Sequence, residues 1–376
     1  METIQPWFAR AEYVERVERV QVALREQGLV ALLAFQPESV TYLTGFFTRG
    51  YESFQFTIVP AKGEPVLVCR DMEGYYVEKT AVFSNHLFWN DSDDKTAVAV
   101  RAITQSIGKK GKCGIELDSW QLNASRFMAL QAALPNLSFV DCSTMVATMR
   151  IIKSPAEIDY QRRAGKAAEA GMTAAIKTAV PGNTEREVAA EICAAMIRAG
   201  SDRPGPGVLS TGERAFHLHG GYTDRVIEVG DPVQIETTPN VCYYHARFMR
   251  PIKAGRASER DQEIVAKLIA IQDRALDSVG PAIAATAPDS IYRQGVLQAG
   301  LAASYTNKTF YSIGLILDPN SGEPLEATPT STWTFVPGMV FHTYVLAQGF
   351  GMSETIAITK TGFERLTNYP RQLFVT

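Results

Sequence analysis

At 376 residues the chain is long enough for two or three domains and a large buried core. With 46% hydrophobic and 20% charged residues, and 28 Gly and 19 Pro scattered along it, the composition excludes a disordered, collagen-like or coiled-coil protein. Its 37 Lys and Arg against 40 Asp and Glu give a net charge of -3, without the basic surplus that a nucleic-acid partner requires.

Residues 1–10 lack the basic start, apolar middle and small-residue cleavage site of an export signal, so a cytoplasmic protein is expected. From Arg10 to Gln27, Val14, Val17, Val20 and Leu24 recur at helical spacing, and Gly28 stops the helix. A strand follows at Leu29 to Phe35. This longest apolar run falls far short of the roughly 20 residues that cross a bilayer, so no membrane partner is expected. Further β-like runs at Phe54 to Val59, Val66 to Cys69, Gly114 to Leu117 and Leu137 to Val140 alternate with helical patterns at Lys95 to Ile107 and Asn123 to Leu134. That alternation predicts an α/β domain over residues 1–150. The cluster from Gly108 to Lys112 reads as a solvated turn. Cys69, Cys113, Cys142, Cys193 and Cys242 are odd in number and widely spread, which fits neither a disulfide framework nor a CxxC zinc site.

The character changes at Arg150 to Glu157. Ser154 and Glu157 form a capping box with Pro155 between them, which opens a long Ala-rich helix that Pro181 and Gly182 end. Thr184 and Glu187 open another. Strands are expected at Pro232 to Glu236, Cys242 to Arg250, Met339 to Leu346 and Ser353 to Thr359, and helices at Glu259 to Ser278 and Ile291 to Ala299. Residues 151–376 therefore read as an α+β domain.

Four of the five histidines, His217, His219, His245 and His342, fall in this second half. On one strand Gln234 and Glu236 share a face; on the next Tyr243, His245, Arg247 and Met249 do. His342 and Tyr344 share a face further on, with Glu354 early in the strand after the turn at Gly349 to Gly351. These hairpins fit a reaction site, and they fit equally a solvated sheet face with a Glu236–Arg247 ion pair. No phosphate loop and no GxSxG elbow is present, and His217 with His219 lacks the further ligands a zinc site needs.

Tyr42 to Gly45, Arg150 to Glu157, Gly230-Asp231 and Pro337 to Phe341 resemble, in order and spacing, the landmarks of the pita-bread family of creatinases, prolidases and aminopeptidases. The resemblance spans nearly the whole chain. It implies a creatinase-like N-terminal α/β domain over 1–150 and a pita-bread catalytic domain over 151–376. It also implies a homodimer with shared active sites, to which the loop from Phe46 to Tyr51 lends Arg49. Peptidases of the family hold two divalent metals with two Asp, one His and two Glu. By resemblance those positions are Glu236, Arg247, Tyr311, Tyr344 and Glu354 here, so two carboxylates survive of five ligands. An arginine has no lone pair to give and repels a cation.

The resemblance therefore leans to the metal-free branch of creatinase and ectoine hydrolase, with no cofactor. His219 falls at the position of creatinase's catalytic histidine, and His219 to Arg225 looks like the ectoine hydrolase version. The implied activity is metal-independent hydrolysis of an amidine, amide or lactam C–N bond in a small, zwitterionic metabolite. His219, Glu236 and Glu354 would be catalytic, and Arg247, Tyr311, Tyr344, His245, His342 and Arg49 would bind substrate. A metal-dependent X-Pro peptidase and an inactive small-molecule binder are the alternatives.

Overall fold

The computed structural model describes residues 4–205 and 207–376. The chain divides into two compact units, one ending at Met149 and the other running from Arg150 to Thr376.

The first unit holds a six-stranded sheet of Ala31–Ala34 (β1), Phe56–Pro60 (β2), Val66–Arg70 (β3), His86–Trp89 (β4), Gly111–Ile115 (β5) and Leu137–Asp141 (β6), in the order β4-β3-β2-β1-β5-β6. The β1–β2 and β2–β3 pairs are antiparallel; the other three are parallel. Its helices are Arg10–Glu26 (α1), Pro37–Thr44 (α2), Gly74–Thr80 (α3), Lys95–Ile107 (α4), Ala124–Ala133 (α5) and Ser143–Ile151 (α6). α1 stops where its sequence says it should: Gly28 has φ +65° and the Leu29 N–H donates to the Leu24 carbonyl at 2.8 Å. α2 is not signalled by periodicity. Pro37 opens it from the first turn, where the missing N–H has no bond to lose. Beneath it Glu116 is fully buried, taking hydrogen bonds from the Gln36 N–H and the Ser39 hydroxyl.

The second unit contains Pro155–Thr178 (α7), Glu185–Arg198 (α8), Glu259–Asp277 (α9) and Thr286–Gln298 (α10). Both capping boxes read from the sequence are present, and Ser258 with Asp261 makes a third that caps α9. One sheet is built on Leu209–Thr211 (β7) and Pro232–Thr237 (β8). After the short pair Asn240–Val241 (β9) and Tyr244–His245 (β10), it continues with Phe248–Met249 (β11) and Ile252–Lys253 (β12). The single strand expected at Cys242 to Arg250 is thus broken. Cys242 and Tyr243 take φ of 48° and 57°, which no extended strand tolerates.

The other sheet comprises Phe310–Ser312 (β13), Glu326–Ala327 (β14), Val340–Ala347 (β15), Phe350–Ile358 (β16) and Phe363–Arg365 (β17), in the order β14-β13-β15-β16-β17. Phe374–Val375 (β18) pairs with β12. One face of β15 and β16 carries Phe341, Val345, Met352 and Ile356 into a core with Ile264, Leu268 and Ile271 of α9 and Tyr292 of α10. Alternation sends His342, Tyr344, Ser353 and Thr355 to the opposite face. α7 packs closely on the chain after β17, since a Cβ at Gly165 would stand 2.0 Å from the Leu366 carbonyl oxygen.

Candidate active site

The turn between β15 and β16 decides which side chains meet. Gln348 and Gly349, with φ of 54° and 80°, are the two central residues of a type I′ turn, so Ala347 pairs with Phe350. Counting back, Tyr344 pairs with Ser353, Thr343 with Glu354 and His342 with Thr355. On the neighbouring strand Tyr311 pairs with His342. Tyr311, His342, Tyr344, Ser353 and Thr355 therefore share one face.

That face fronts a cavity of about 580 Å³. His219, Glu236, Arg247, Tyr311, His342 and Tyr344 line it, together with Val208, Thr238, Met249, Lys308, Glu326 and the segment from Asn320 to Glu323. Glu236 comes from β8. Its Oε1 has three polar neighbours: the Tyr311 hydroxyl at 3.5 Å, Arg247 Nη1 at 3.6 Å and His342 Nδ1 at 3.6 Å. All three lie beyond the usual 2.7–3.2 Å of a protein hydrogen bond. The carboxylate is ringed by donors that none of these contacts satisfies at normal length.

Each neighbour has a defined state. Burial, reinforced by the Arg247 charge, holds the His342 pKa well below the usual imidazole value, so its ring is neutral. Its plane stacks on Tyr344 with centroids 5.4 Å apart, and Tyr311 meets it edge-on at 5.1 Å. Burial raises both phenols, with Glu236 adding to the effect, and keeps them protonated. Arg247 is anchored through its backbone: its N–H donates to the Thr355 hydroxyl at 2.9 Å, and that hydroxyl donates back to its carbonyl at 2.8 Å. Its Nη2 donates to the Ser321 carbonyl at 2.7 Å, its guanidinium lies 5.5 Å from the Tyr311 ring, and its Nε has no hydrogen-bond partner among the described residues. His219 reaches the cavity from the segment after β7, with φ of 70°.

Two expected site residues of the second unit are not among those lining this cavity. Glu354 is not among the residues lining the cavity, because opposite Thr343 it points into the core face of the sheet. There it is fully buried. Arg250 Nη2 donates to one of its oxygens at 2.7 Å and the Thr367 hydroxyl to the other at 2.7 Å. His245 lines a second cavity of about 390 Å³, which shares Thr238, Arg247, Asn320 and Ser321 with the first. Its Nε2 stands 3.1 Å from the Ile316 carbonyl oxygen, and burial together with Arg247 lowers its pKa to about 3. Arg49 is exposed in the first unit, in the loop after α2.

Ser353, whose buried Oγ has no hydrogen-bond partner among the described residues, and Thr355 were not singled out by sequence reasoning. The signal for them was the Gln348–Gly349 turn. Taking the turn as the three residues Gly349 to Gly351 pairs Gln348 with Met352 and puts Glu354 on the Tyr344 face, because a register change by an odd number exchanges every side chain between faces.

The donor chemistry does not fit a pair of divalent metals. Around the cavity Glu236 and His342 stand 3.6 Å apart, Glu323 and Glu326 are paired with Lys153 and Lys308, Arg247 brings a permanent positive charge 3.6 Å from Glu236, and Ser353 rather than a carboxylate faces Tyr344. Among the described residues no three His, Cys, Asp or Glu side chains converge as ligands would.

Comparison with known proteins agrees with this architecture. The profile of metallopeptidase family M24 matches residues 159–360, and that of the Creatinase/Prolidase N-terminal domain matches residues 16–152. An uncharacterized hydrolase/peptidase of Sinorhizobium fredii is 28% identical over 98% of each chain, and the ectoine hydrolase of Halomonas elongata is 27% identical over 98% of each. The crystal structure of dipeptidase PepE from Mycobacterium ulcerans superposes with a TM-score of 0.84 at 25% identity, covering 98% of this chain and 99% of that one. No described helix is long and apolar enough to cross a membrane. The α/β first unit, the α+β pita-bread second unit and these matches together place the chain in metallopeptidase family M24 with a creatinase/prolidase N-terminal domain, a family of enzymes that hydrolyse carbon–nitrogen bonds.

Proposed function

We propose that this enzyme hydrolyses a C–N bond of a small zwitterionic metabolite without a metal ion. The observation that carries the reading is the donor set around Glu236: one carboxylate ringed by an arginine, a neutral imidazole and a protonated phenol, where two metals would need several anionic ligands. A cyclic amidine bearing a carboxylate, of which ectoine is an example, fits that set, and the likeness to an ectoine hydrolase supports the choice.

In this reading Arg247 holds the substrate carboxylate, since a guanidinium meets a carboxylate through paired N–H donors. Glu236 faces the amidinium. As water adds to the amidine carbon, the positive charge on the nitrogens shrinks, and the Tyr311 and Tyr344 hydroxyls offer hydrogen bonds to the new C–O group. His219 takes a proton from the attacking water and returns one to the leaving nitrogen, a role suited to an imidazole near neutral pH. Lys308 stands at the cavity wall paired with Glu326, which offsets its charge. Glu354 has no part in the chemistry and serves the fold.

The protein is further proposed to be a homodimer in the cytoplasm, with Arg49 of each subunit reaching the other's substrate. Ultracentrifugation showing only monomer, or unchanged kinetics in Arg49→Ala, removes that part. The substrate reading is tested by incubating the protein with ectoine, creatine, N-acyl amino acids and X-Pro dipeptides and following product amines. Turnover of a carboxylate-bearing amidine or amide is expected; turnover of X-Pro dipeptides alone refutes it.

A further inference from the structure

The segment that carries His219 follows β7 with one short 3₁₀ turn, Gly212–Phe216, and residues 216–222 are largely exposed. Leu218 and His219 are its contributions to the cavity wall. A general base on such a segment has to be held, because proton transfer requires the reacting atoms within about 2.6–3.2 Å of each other. His219 has φ of 70°, a conformation that a residue other than glycine keeps only where its surroundings impose it.

Those surroundings converge on one carboxylate. Glu185, the first residue of α8, is fully buried. Its Oε1 accepts from the Thr211 N–H at 2.9 Å and the Thr211 hydroxyl at 2.8 Å. Its Oε2 accepts from the Thr223 N–H at 2.7 Å, the Thr223 hydroxyl at 2.8 Å and Arg214 Nη2. Thr211 ends β7 just before the segment and Thr223 stands just after it, so one side chain grips both ends. Burial disfavours the charged form of Glu185, but the bonds from Arg214, Thr223 and Thr211 outweigh it and hold the pKa below the usual carboxylate value. Arg214 carries the grip to the base: its Nη1 donates at 3.0 Å to the carbonyl of Gly221, two residues beyond His219. Between them the Gly220 carbonyl accepts from the Leu209 N–H of β7 at 2.9 Å. The neck also holds Arg225, whose Nη1 donates to the Thr211 hydroxyl at 2.7 Å and which pairs with Asp231. The run from His219 to Arg225 and the Gly230-Asp231 landmark, separate features of the sequence, thus meet at the neck of one loop.

We propose that Glu185 is a positioning residue for His219: its carboxylate fixes both ends of the loop over residues 212–222 and, through Arg214, the backbone beside the base. The inference rests on the reading of His219 as the general base and deepens it. Glu185 is not among the residues lining the cavity, so it acts through the loop alone. An amide in its place offers one oxygen and turns an NH₂ group toward the other set of donors, so glutamine cannot hold both ends.

The test compares the intact protein with Glu185→Gln. Thr223→Val, which removes one donor to Glu185 and keeps the backbone bond, takes its place if Glu185→Gln does not fold. Hydrogen exchange comes first and needs no substrate. The Leu209 amide bonds Gly220 and not Glu185, so it reports whether the loop leaves β7. It should exchange about tenfold faster in the variant, while the Val345 amide in the core of β15 keeps its rate. Kinetics follow on whichever of ectoine, creatine, N-acyl amino acids or X-Pro dipeptides the parent turns over. A displaced base should lower kcat about 10–10²-fold with KM within about twofold. In a His219→Ala background the same substitution should cost nothing further, whereas a general loss of structure costs the same in both backgrounds. An unchanged Leu209 amide, Leu209 and Val345 amides accelerated alike, or equal losses in the two backgrounds overturns the inference and leaves the hydrolase reading standing. A parent that turns over none of these compounds refutes the hydrolase reading, and the exchange result alone then decides whether Glu185 holds the loop.

Discussion

Glu236 and Glu354 are both buried carboxylates of the second unit, and their replacement by glutamine should have opposite consequences. In Glu354→Gln the fully buried Arg250 loses its counter-charge. Removing one partner of a buried ion pair costs about 3–5 kcal/mol. The low end applies here: the Arg250 guanidinium keeps its bonds to the carbonyls of Met249, Ser353, Tyr369 and Pro370 at 2.8–2.9 Å, and the new amide retains one oxygen. About 3 kcal/mol in a unit of this size lowers the unfolding midpoint by about 10 °C. In Glu236→Gln the three neighbours of Oε1 stand at 3.5–3.6 Å, so little bonding is lost, and Arg247, which loses its carboxylate neighbour, stays partly exposed at the cavity and keeps its bond to the Ser321 carbonyl. That variant should unfold within about 1 kcal/mol of the parent, since no bond of normal length is removed, and should raise KM for an amidinium-bearing substrate, since the anion that faces the substrate's cation disappears. Thermal and urea unfolding of the three intact proteins decides the matter. A Glu354→Gln protein as stable as the parent, or a Glu236→Gln protein that is the less stable of the two, refutes the division of roles.

Three further outcomes follow from the same geometry. Arg247→Met should weaken binding of a carboxylate-bearing ligand far more than of its amide analogue in titration calorimetry; equal losses would leave the carboxylate-binding role without support. Burial raises Glu116 to a pKa of about 8, partly offset by the Ser39 and Gln36 bonds, from a usual value of 4.5. Between those values the folded chain holds a proton that the unfolded chain has released, so the first unit should lose stability as pH rises through this window. Glu116→Gln should flatten the trend in urea titrations at pH 5 and pH 7.5, and an unchanged slope contradicts it. Gly165→Ala should destabilise the second unit by about 3 kcal/mol or more, because the new methyl meets the rigid Leu366 backbone rather than a flexible side chain; unchanged urea unfolding would show that α7 does not pack there as described.

Local chemistry was the legible part of the sequence. The Ser154–Glu157 and Thr184–Glu187 boxes and the Gly28 stop are decided by a few adjacent residues, and the structure has all three. The shared face of His342 and Tyr344 follows from strand alternation alone. What alternation could not supply is register between strands. That depended on whether the turn after Ala347 is Gln348–Gly349 or the three residues Gly349 to Gly351, and the difference moved Glu354 to the core face and put Ser353 and Thr355 on the face of Tyr344 and His342. The positive φ at Cys242 and Tyr243 was likewise invisible, because neither residue favours that conformation and the surrounding fold imposes it. As a result His245 went to the second cavity rather than standing beside Glu236. The crowding of Tyr311, Arg247 and His342 around one oxygen joins three strands and a loop far apart in the chain, and no local pattern encodes it.

The central claim, hydrolysis without a metal, is tested most directly by elemental analysis of the purified protein, paired with turnover before and after exhaustive chelation. The account predicts no stoichiometric transition metal and the same turnover in both samples. Two tightly bound metal ions per chain, with activity lost on chelation and restored by adding the metal back, would contradict it.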